Sequence, residues 1–236
     1  MSMDDIVPRA VGNCSLWKKV CNFTTEKMLY SNVLISGQYF SGKTLVLLRM
    51  IQMYQKEQAI IVVLDPCVQE GWVSLLSTLV GSHMVSIEQD VNFFSSPPES
   101  FVQTESAITN AFASYHVEDW FPFTTSENLS NQRKFLFDVS RYLEIAHDSE
   151  NKVKQNYTSL YQRLILQIIA KFLCLTKNAK LPLTIFTDEV KIKPKLFNML
   201  DESENAYLIS TVHNVESICG RKDFFQFHLD LDTLFR

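Results

Sequence analysis

Basic charge is in short supply in this chain. Lys and Arg number 22 against 26 Asp and Glu, giving a net charge of −4 and a pI of about 5.7. A protein that binds nucleic acid alone and without sequence preference needs an excess of cations, so any DNA contact is expected to be local or shared with partners. Cysteine is sparse and scattered, at Cys14, Cys21, Cys67, Cys174 and Cys219. No C-x-x-C pair occurs, so neither a zinc site nor a redox motif is suggested. An odd cysteine count without a signal-peptide pattern reads as reduced thiols of the cytosol or nucleus. No apolar run reaches membrane-span length, and no membrane partner is expected. Leu160 to Leu175 comes closest, but Gln162, Arg163, Gln167 and Lys171 interrupt it. His83, His116, His147 and His228 share no metal-ligand spacing, and there is no internal repeat or low-complexity tail. What remains is 236 residues, 46% hydrophobic and 20% charged, enough for one or two domains with a sizeable core.

Glycine is scarce too, and its placement is informative. Two of the six glycines lie in Gly37-Gln38-Tyr39-Phe40-Ser41-Gly42-Lys43-Thr44, a full G-x-x-x-x-G-K-[ST] phosphate loop. The context suits the motif. Asn32 to Ser36 (NVLIS) reads as a short buried strand, and Leu45 to Tyr54 reads as a helix opening on Lys43 and Thr44. In such a loop, backbone N–H groups and a helix N-terminus face phosphates. Lys43 is then the cation for the β/γ-phosphates, and the Thr44 hydroxyl is a ligand for Mg²⁺. The cofactors expected are ATP and Mg²⁺. The alternative is a degenerate loop kept for its geometry; bulky Phe40 stands where a small residue eases close backbone approach.

Four more runs read as strands: Ala59 to Leu64 (AIIVVL), Leu183 to Thr187 (LTIFT), Tyr207 to Thr211 (YLIST) and Phe224 to Leu229 (FFQFHL). Between them lie predicted helices at Leu16 to Cys21, Trp72 to Val80 and Lys195 to Leu200. Alternation of strand and helix predicts an α/β fold with a mostly parallel five-stranded sheet. Ser82 to Lys180 is long for a crossover. Ser100 to Tyr115, Arg133 to Ile145 and Tyr157 to Leu175 have helical periodicity there, so the block 82–180 is expected to be a peripheral helical insertion in a single domain spanning 1–236.

Strand LTIFT ends in Asp188-Glu189. A carboxylate at that place holds the Mg²⁺ shell, and the next one orients or deprotonates an attacking water. Both motifs would meet at the carboxyl ends of the strands. An acidic turn is the plainer reading, and Lys134 to Asp138 (KFLFD) is a rival for the same role. Asp188 is preferred because a short helix and another strand follow it. Thr211 ends the next strand, with Ser210 and His213 near it. It reads either as a sensor of the γ-phosphate or as a strand cap. Arg221, in the turn Cys219-Gly220-Arg221-Lys222-Asp223, reads either as an arginine offered to a neighbouring subunit's nucleotide or as an exposed turn residue.

Several stretches resemble the AAA+ domain of origin recognition complex subunits. These are Pro8-Arg9 followed by Asn13-Cys14-Ser15-Leu16; Ser31 to Thr44; Val63-Leu64-Asp65-Pro66 with Gly71-Trp72-Val73-Ser74-Leu75-Leu76; and Leu208 to Leu231. Together they cover about half of the chain. The resemblance implies a nuclear, ATP-binding subunit of a ring-like complex that marks replication origins and loads the helicase. It implies neighbours akin to subunits four and three, and DNA met through the assembled complex. It also implies that Arg221 acts on the neighbouring subunit's nucleotide and that ATP turns over little; the family's lid and winged-helix domains would begin about where this sequence stops, at Arg236, and are expected to be absent from this chain, which is either an excised AAA+ domain or a shortened protein. A DNA-translocating or packaging ATPase shares the phosphate loop, the Asp-Glu strand and the polar residue after the next strand. The intact Glu189 favours that second class.

Overall fold

Apolar runs of four to seven residues become strands where β-branched side chains can be covered on both faces. The computed structural model describes residues 14–54, 57, 59–65, 83–86 and 134–138, the helical positions 165–166, 169–170, 172–173 and 176–177, and then 180–190, 194–218 and 220–234. The strands are β1 (Val33–Ser36), β2 (Ile60–Asp65), β3 (His83–Ser86), β4 (Lys134–Asp138), β5 (Leu183–Thr187), β6 (Ala206–Val212) and β7 (Phe227–Asp230). The helices are α1 (Cys14–Phe23), α2 (Lys43–Tyr54), α3 (Pro194–Asp201) and the single turn α4 (Leu231–Leu234). The described strands form one seven-stranded sheet in the order β3-β4-β2-β5-β6-β1-β7. Every pairing in it is parallel. The fold is the α/β fold of P-loop proteins: strand, glycine-bounded loop and helix on a parallel sheet with flanking helices.

All five predicted strands are present, but one is displaced. Phe224 closes a 3-10 turn, Lys222–Phe224, and the last strand begins at Phe227. Phe224 and Phe225 instead pack edge-on against Phe197 of α3, with centroids 5.0 and 6.0 Å from it. The expectation of a purely helical, peripheral block at 82–180 is corrected. Two strands of the sheet, β3 and β4, come from it, and β4 pairs with β2. The run KFLFD is short and apolar, and periodicity alone does not separate a buried strand from a helical turn at that length. The described positions between 165 and 177 are helical, as predicted, with Ile165, Ile169 and Phe172 buried. The predicted helices Trp72 to Val80 and Ser100 to Tyr115, and the lead-in at Pro8-Arg9, lie outside the described residues.

One core cluster joins α1, α2 and one face of the sheet. Val33, Ile35, Ile61, Val63, Phe186 and Ile209 meet Trp17, Val20, Leu47, Met50, Ile51 and Tyr54 there. The alternate residues Leu34, Val62, Ile185 and Leu208 are also buried, as period-two alternation requires of a sheet covered on both sides. Asn32 locks the position of β1. Its side chain accepts from the Leu208 amide (2.8 Å) and donates to the Phe224 carbonyl (3.3 Å), tying β1 to β6 and to the turn that precedes β7. Its own amide donates to Gln226 Oε1 at 2.6 Å. This fixes where the loop after Ser36 emerges.

Candidate functional site

The carboxyl ends of β5, β6, β1 and β7 lie side by side, so the residues following each strand converge. From β1 comes the loop Gly37 to Gly42. Gly42 has φ 93°, a backbone shape that favours glycine. A Cβ at Gly37 would lie 2.5 Å from Ser41 Oγ and 3.3 Å from Leu231 Cβ, so a side chain there would force Ser41 to shift. The Ser41 amide donates to the Gln38 carbonyl at 3.2 Å, which tightens the turn. Tyr39 and Phe40 form its tip. Phe40 is 99% exposed with φ 60°, so its ring points away from the loop interior and leaves the concave side clear. That is how the loop accommodates a bulky residue.

Lys43 opens α2 and is only 4% exposed. Its ammonium donates to the carbonyls of Gly37 and Gln38, both at 2.9 Å, and to His213 Nδ1 at 3.2 Å. It also lies 3.3 Å from Glu189 Oε1. Thr44 Oγ1 donates to Asp188 Oδ2 at 3.0 Å. The phosphate-loop hydroxyl and the strand-end carboxylate, 144 residues apart, are therefore in direct contact.

Asp188 is buried at 7% exposure, and its other carboxylate oxygen accepts from the Thr211 hydroxyl. Burial pushes its carboxyl above the usual range, against the lowering effect of those two hydroxyl bonds. The nearby Glu189 raises it further, and Lys43 pulls it down. Among the described residues, the hydrogen-bond partners of the Asp188 carboxylate are the neutral hydroxyls of Thr44 and Thr211. With the Thr44 oxygen beside it, this is a donor set suited to a hard divalent cation. Thr211 is fully buried, and its oxygen also accepts from the Glu189 amide at 2.9 Å. Its hydroxyl is therefore committed to holding Asp188 and Glu189. Neighbouring Ser210 is likewise engaged, accepting from Thr187 Oγ1 at 2.8 Å.

Two contributors had little signal in the sequence. His213 lies just past β6, and its Nε2 is 2.6 Å from Glu189 Oε2. Tyr39 covers it, with ring centroids 3.8 Å apart. Asp232 of α4 accepts the Gln38 amide on both oxygens at 3.2 Å. Its only clue was an acidic residue following a predicted strand. The rival Asp138 does not join them. It ends β4, four strand spacings from β1 in the sheet order and so about 19 Å away. Arg221 lies elsewhere as well. Its guanidinium pairs with Asp201 Oδ2 at 2.5 Å and Asn198 Oδ1 at 3.2 Å, with its carbon 5.6 Å from the Phe197 ring centroid. It is docked on α3 of its own chain.

No protein-family model matches the chain, and no curated protein matches it in sequence. Among solved structures it is similar to VirB4 of Thermoanaerobacter pseudethanolicus, at 11% identity and a TM-score of 0.46, over 84% of this chain and 76% of that one. At that identity the likeness concerns the fold alone. Among the described residues, no helix is long and apolar enough to cross a membrane, and no group of three or more His, Cys, Asp or Glu could hold a metal ion by itself.

Proposed function

We propose that the chain binds ATP with Mg²⁺ at the carboxyl ends of β1, β5 and β6. The contact between Thr44 and Asp188 carries this reading, since it joins a phosphate-loop hydroxyl to a buried strand-end carboxylate. Loop amides and the start of α2 supply donors for phosphate oxygens, and Lys43 supplies the positive charge. Thr44 and Asp188 would hold the ion, which when bound neutralises phosphate charge. Binding of Mg²⁺-ATP by the whole chain, lost in Lys43→Ala with the fold retained, is the expected result. Equal affinity in mutant and parent removes the assignment.

At the finer level the proposal is an ATP-binding subunit of an origin recognition complex, in which ATP stabilises a contact between subunits. Neighbours akin to subunits four and three, DNA reached through the assembly, and a nuclear location belong to this reading. Its support is the set of stretches from Pro8-Arg9 to Leu231 named above. One observation favours a second reading, a DNA-translocating or packaging ATPase: Glu189 sits 3.3 Å from Lys43, within the phosphate site, where a catalytic base belongs. ATP turnover by the chain with and without DNA separates the two. DNA-stimulated turnover supports the motor, and none supports the structural subunit.

A further inference from the structure

The first half of the phosphate loop is held from outside by the corner that follows β7. In Asp230-Leu231-Asp232, the Asp232 amide donates to Asp230 Oδ1 at 3.1 Å, which closes the corner. The Asp232 carboxylate accepts the Gln38 N–H on both oxygens at 3.2 Å. Leu231 is 1% exposed, and its Cβ lies 3.3 Å from where a Gly37 Cβ would stand. His228, further back on β7, has Nε2 2.8 Å from Ser36 Oγ. Ser36, Gly37 and Gln38 thus each meet a residue of the segment 228–232. The peptide joining Gly37 and Gln38 is trans, so its N–H and C=O point in opposite directions. Its N–H faces Asp232, and its C=O accepts from Lys43 Nζ at 2.9 Å. One peptide plane therefore links Asp232, outside the loop, to the Lys43 ammonium inside it.

We infer that Asp232 is a positioning residue for nucleotide binding: by holding the Gln38 N–H it orients the Gly37–Gln38 peptide, and through that peptide the Lys43 ammonium. The inference rests on the ATP reading above and adds to it a residue from outside the motif. Gly37 has no Cβ to restrict its backbone, so without Asp232 this peptide plane can rotate and carry its carbonyl away from Lys43. Ordering the plane would then oppose each binding event, whereas a loop already in shape avoids that cost. The charge of Asp232 acts the other way, because it repels a phosphate. Asp232 lies partly in solvent, which screens that repulsion, so the positioning effect is the larger of the two.

Affinity of the full chain for a non-hydrolysable Mg²⁺-ATP analogue, measured well below the Tm of each variant, tests this. Asp232→Ala is expected to weaken binding about ten-fold, the size of losing one hydrogen bond to a charged group. Asp232→Asn keeps an acceptor oxygen for the Gln38 N–H and removes the charge, so it is expected to bind at least as tightly as the parent. A residue that only supports the corner would lower Tm in Asp232→Ala and leave affinity alone; that result overturns the inference. Weakening of equal size in Asp232→Ala and Asp232→Asn overturns it too. So does tighter binding in both, which would make the carboxylate a source of repulsion and nothing more. Hydrogen exchange gives a second decision that depends on no variant. In the parent, the Gln38 amide must exchange about ten-fold or more slowly than an unbonded exposed amide, and an unprotected amide overturns the inference. Failure of the ATP reading looks different: the parent itself then fails to bind the analogue, while the Gln38 amide stays protected.

Discussion

Thr44 Oγ1 donates to Asp188 Oδ2 at 3.0 Å, and Thr211 donates to the other oxygen of the same carboxylate. One buried carboxylate thus ties the phosphate loop on β1 to the end of β6, the strand that lies between β1 and β5. Burial of this carboxylate away from water costs the fold some stability.

The first prediction follows from that cost. Burial raises the Asp188 pKa above its ordinary value of 3.8, so the unfolded chain loses this proton at lower pH than the folded one. The contribution of Asp188 to stability is full below 3.8 and falls as pH rises toward the folded-state value. At neutral pH without nucleotide, Asp188→Asn should therefore raise Tm, at roughly 2–4 °C for each 1 kcal/mol gained. The same variant should lose the Mg²⁺ dependence of nucleotide binding. Thermal melts and binding titrations with and without Mg²⁺ check both halves; a lower Tm together with intact Mg²⁺ dependence contradicts the account.

Lys43→Ala should weaken nucleotide binding by about 100-fold, the size expected for loss of one or two charge-assisted hydrogen bonds. The far-UV circular dichroism spectrum should stay that of the parent. A loss of helical signal would mean that Lys43 serves the fold by bracing the Gly37 and Gln38 carbonyls.

Phe40→Gly isolates backbone strain. The side chain is almost wholly exposed and φ is positive, so a glycine loses little packing and relieves about 1–2 kcal/mol of steric cost, offset in part by unfolded-state entropy. Tm should rise by a few degrees with ATP affinity preserved. A fall in affinity would show that the exposed ring takes part in binding.

Steady-state hydrolysis by the chain alone should be slow. If the site completes itself with an arginine from a partner, about 10³–10⁵ in rate is missing without one. Turnover near 1 s⁻¹ from the isolated chain points instead to the motor reading.

Arg221 pairs with Asp201 and Asn198 on the surface of its own chain, a contact worth about 0–1 kcal/mol. Arg221→Ala should therefore cost little stability and leave this chain's ATP affinity unchanged. Were the residue to act on a neighbour, it would leave Asp201, and the variant should lower turnover or assembly in the reconstituted complex. Unchanged complex activity returns Arg221 to a helix-docking role.

Local patterns determined much of this protein. The phosphate loop, its strand and helix, and the run ending in Asp188-Glu189 were legible because each is contiguous, and its period or spacing follows from local backbone geometry. The structure supplied what contiguity cannot. Sheet order is set by which faces bury against which, and that placed Asp188 beside Thr44 while sending Asp138 four strand spacings from β1. KFLFD became a strand through parallel pairing with β2 and β3, partners remote in sequence. His213 and Asp232 joined the site because β6 and β7 flank β1 and end level with it. No residue type or spacing announces such a meeting. It exists only once the strands are laid side by side.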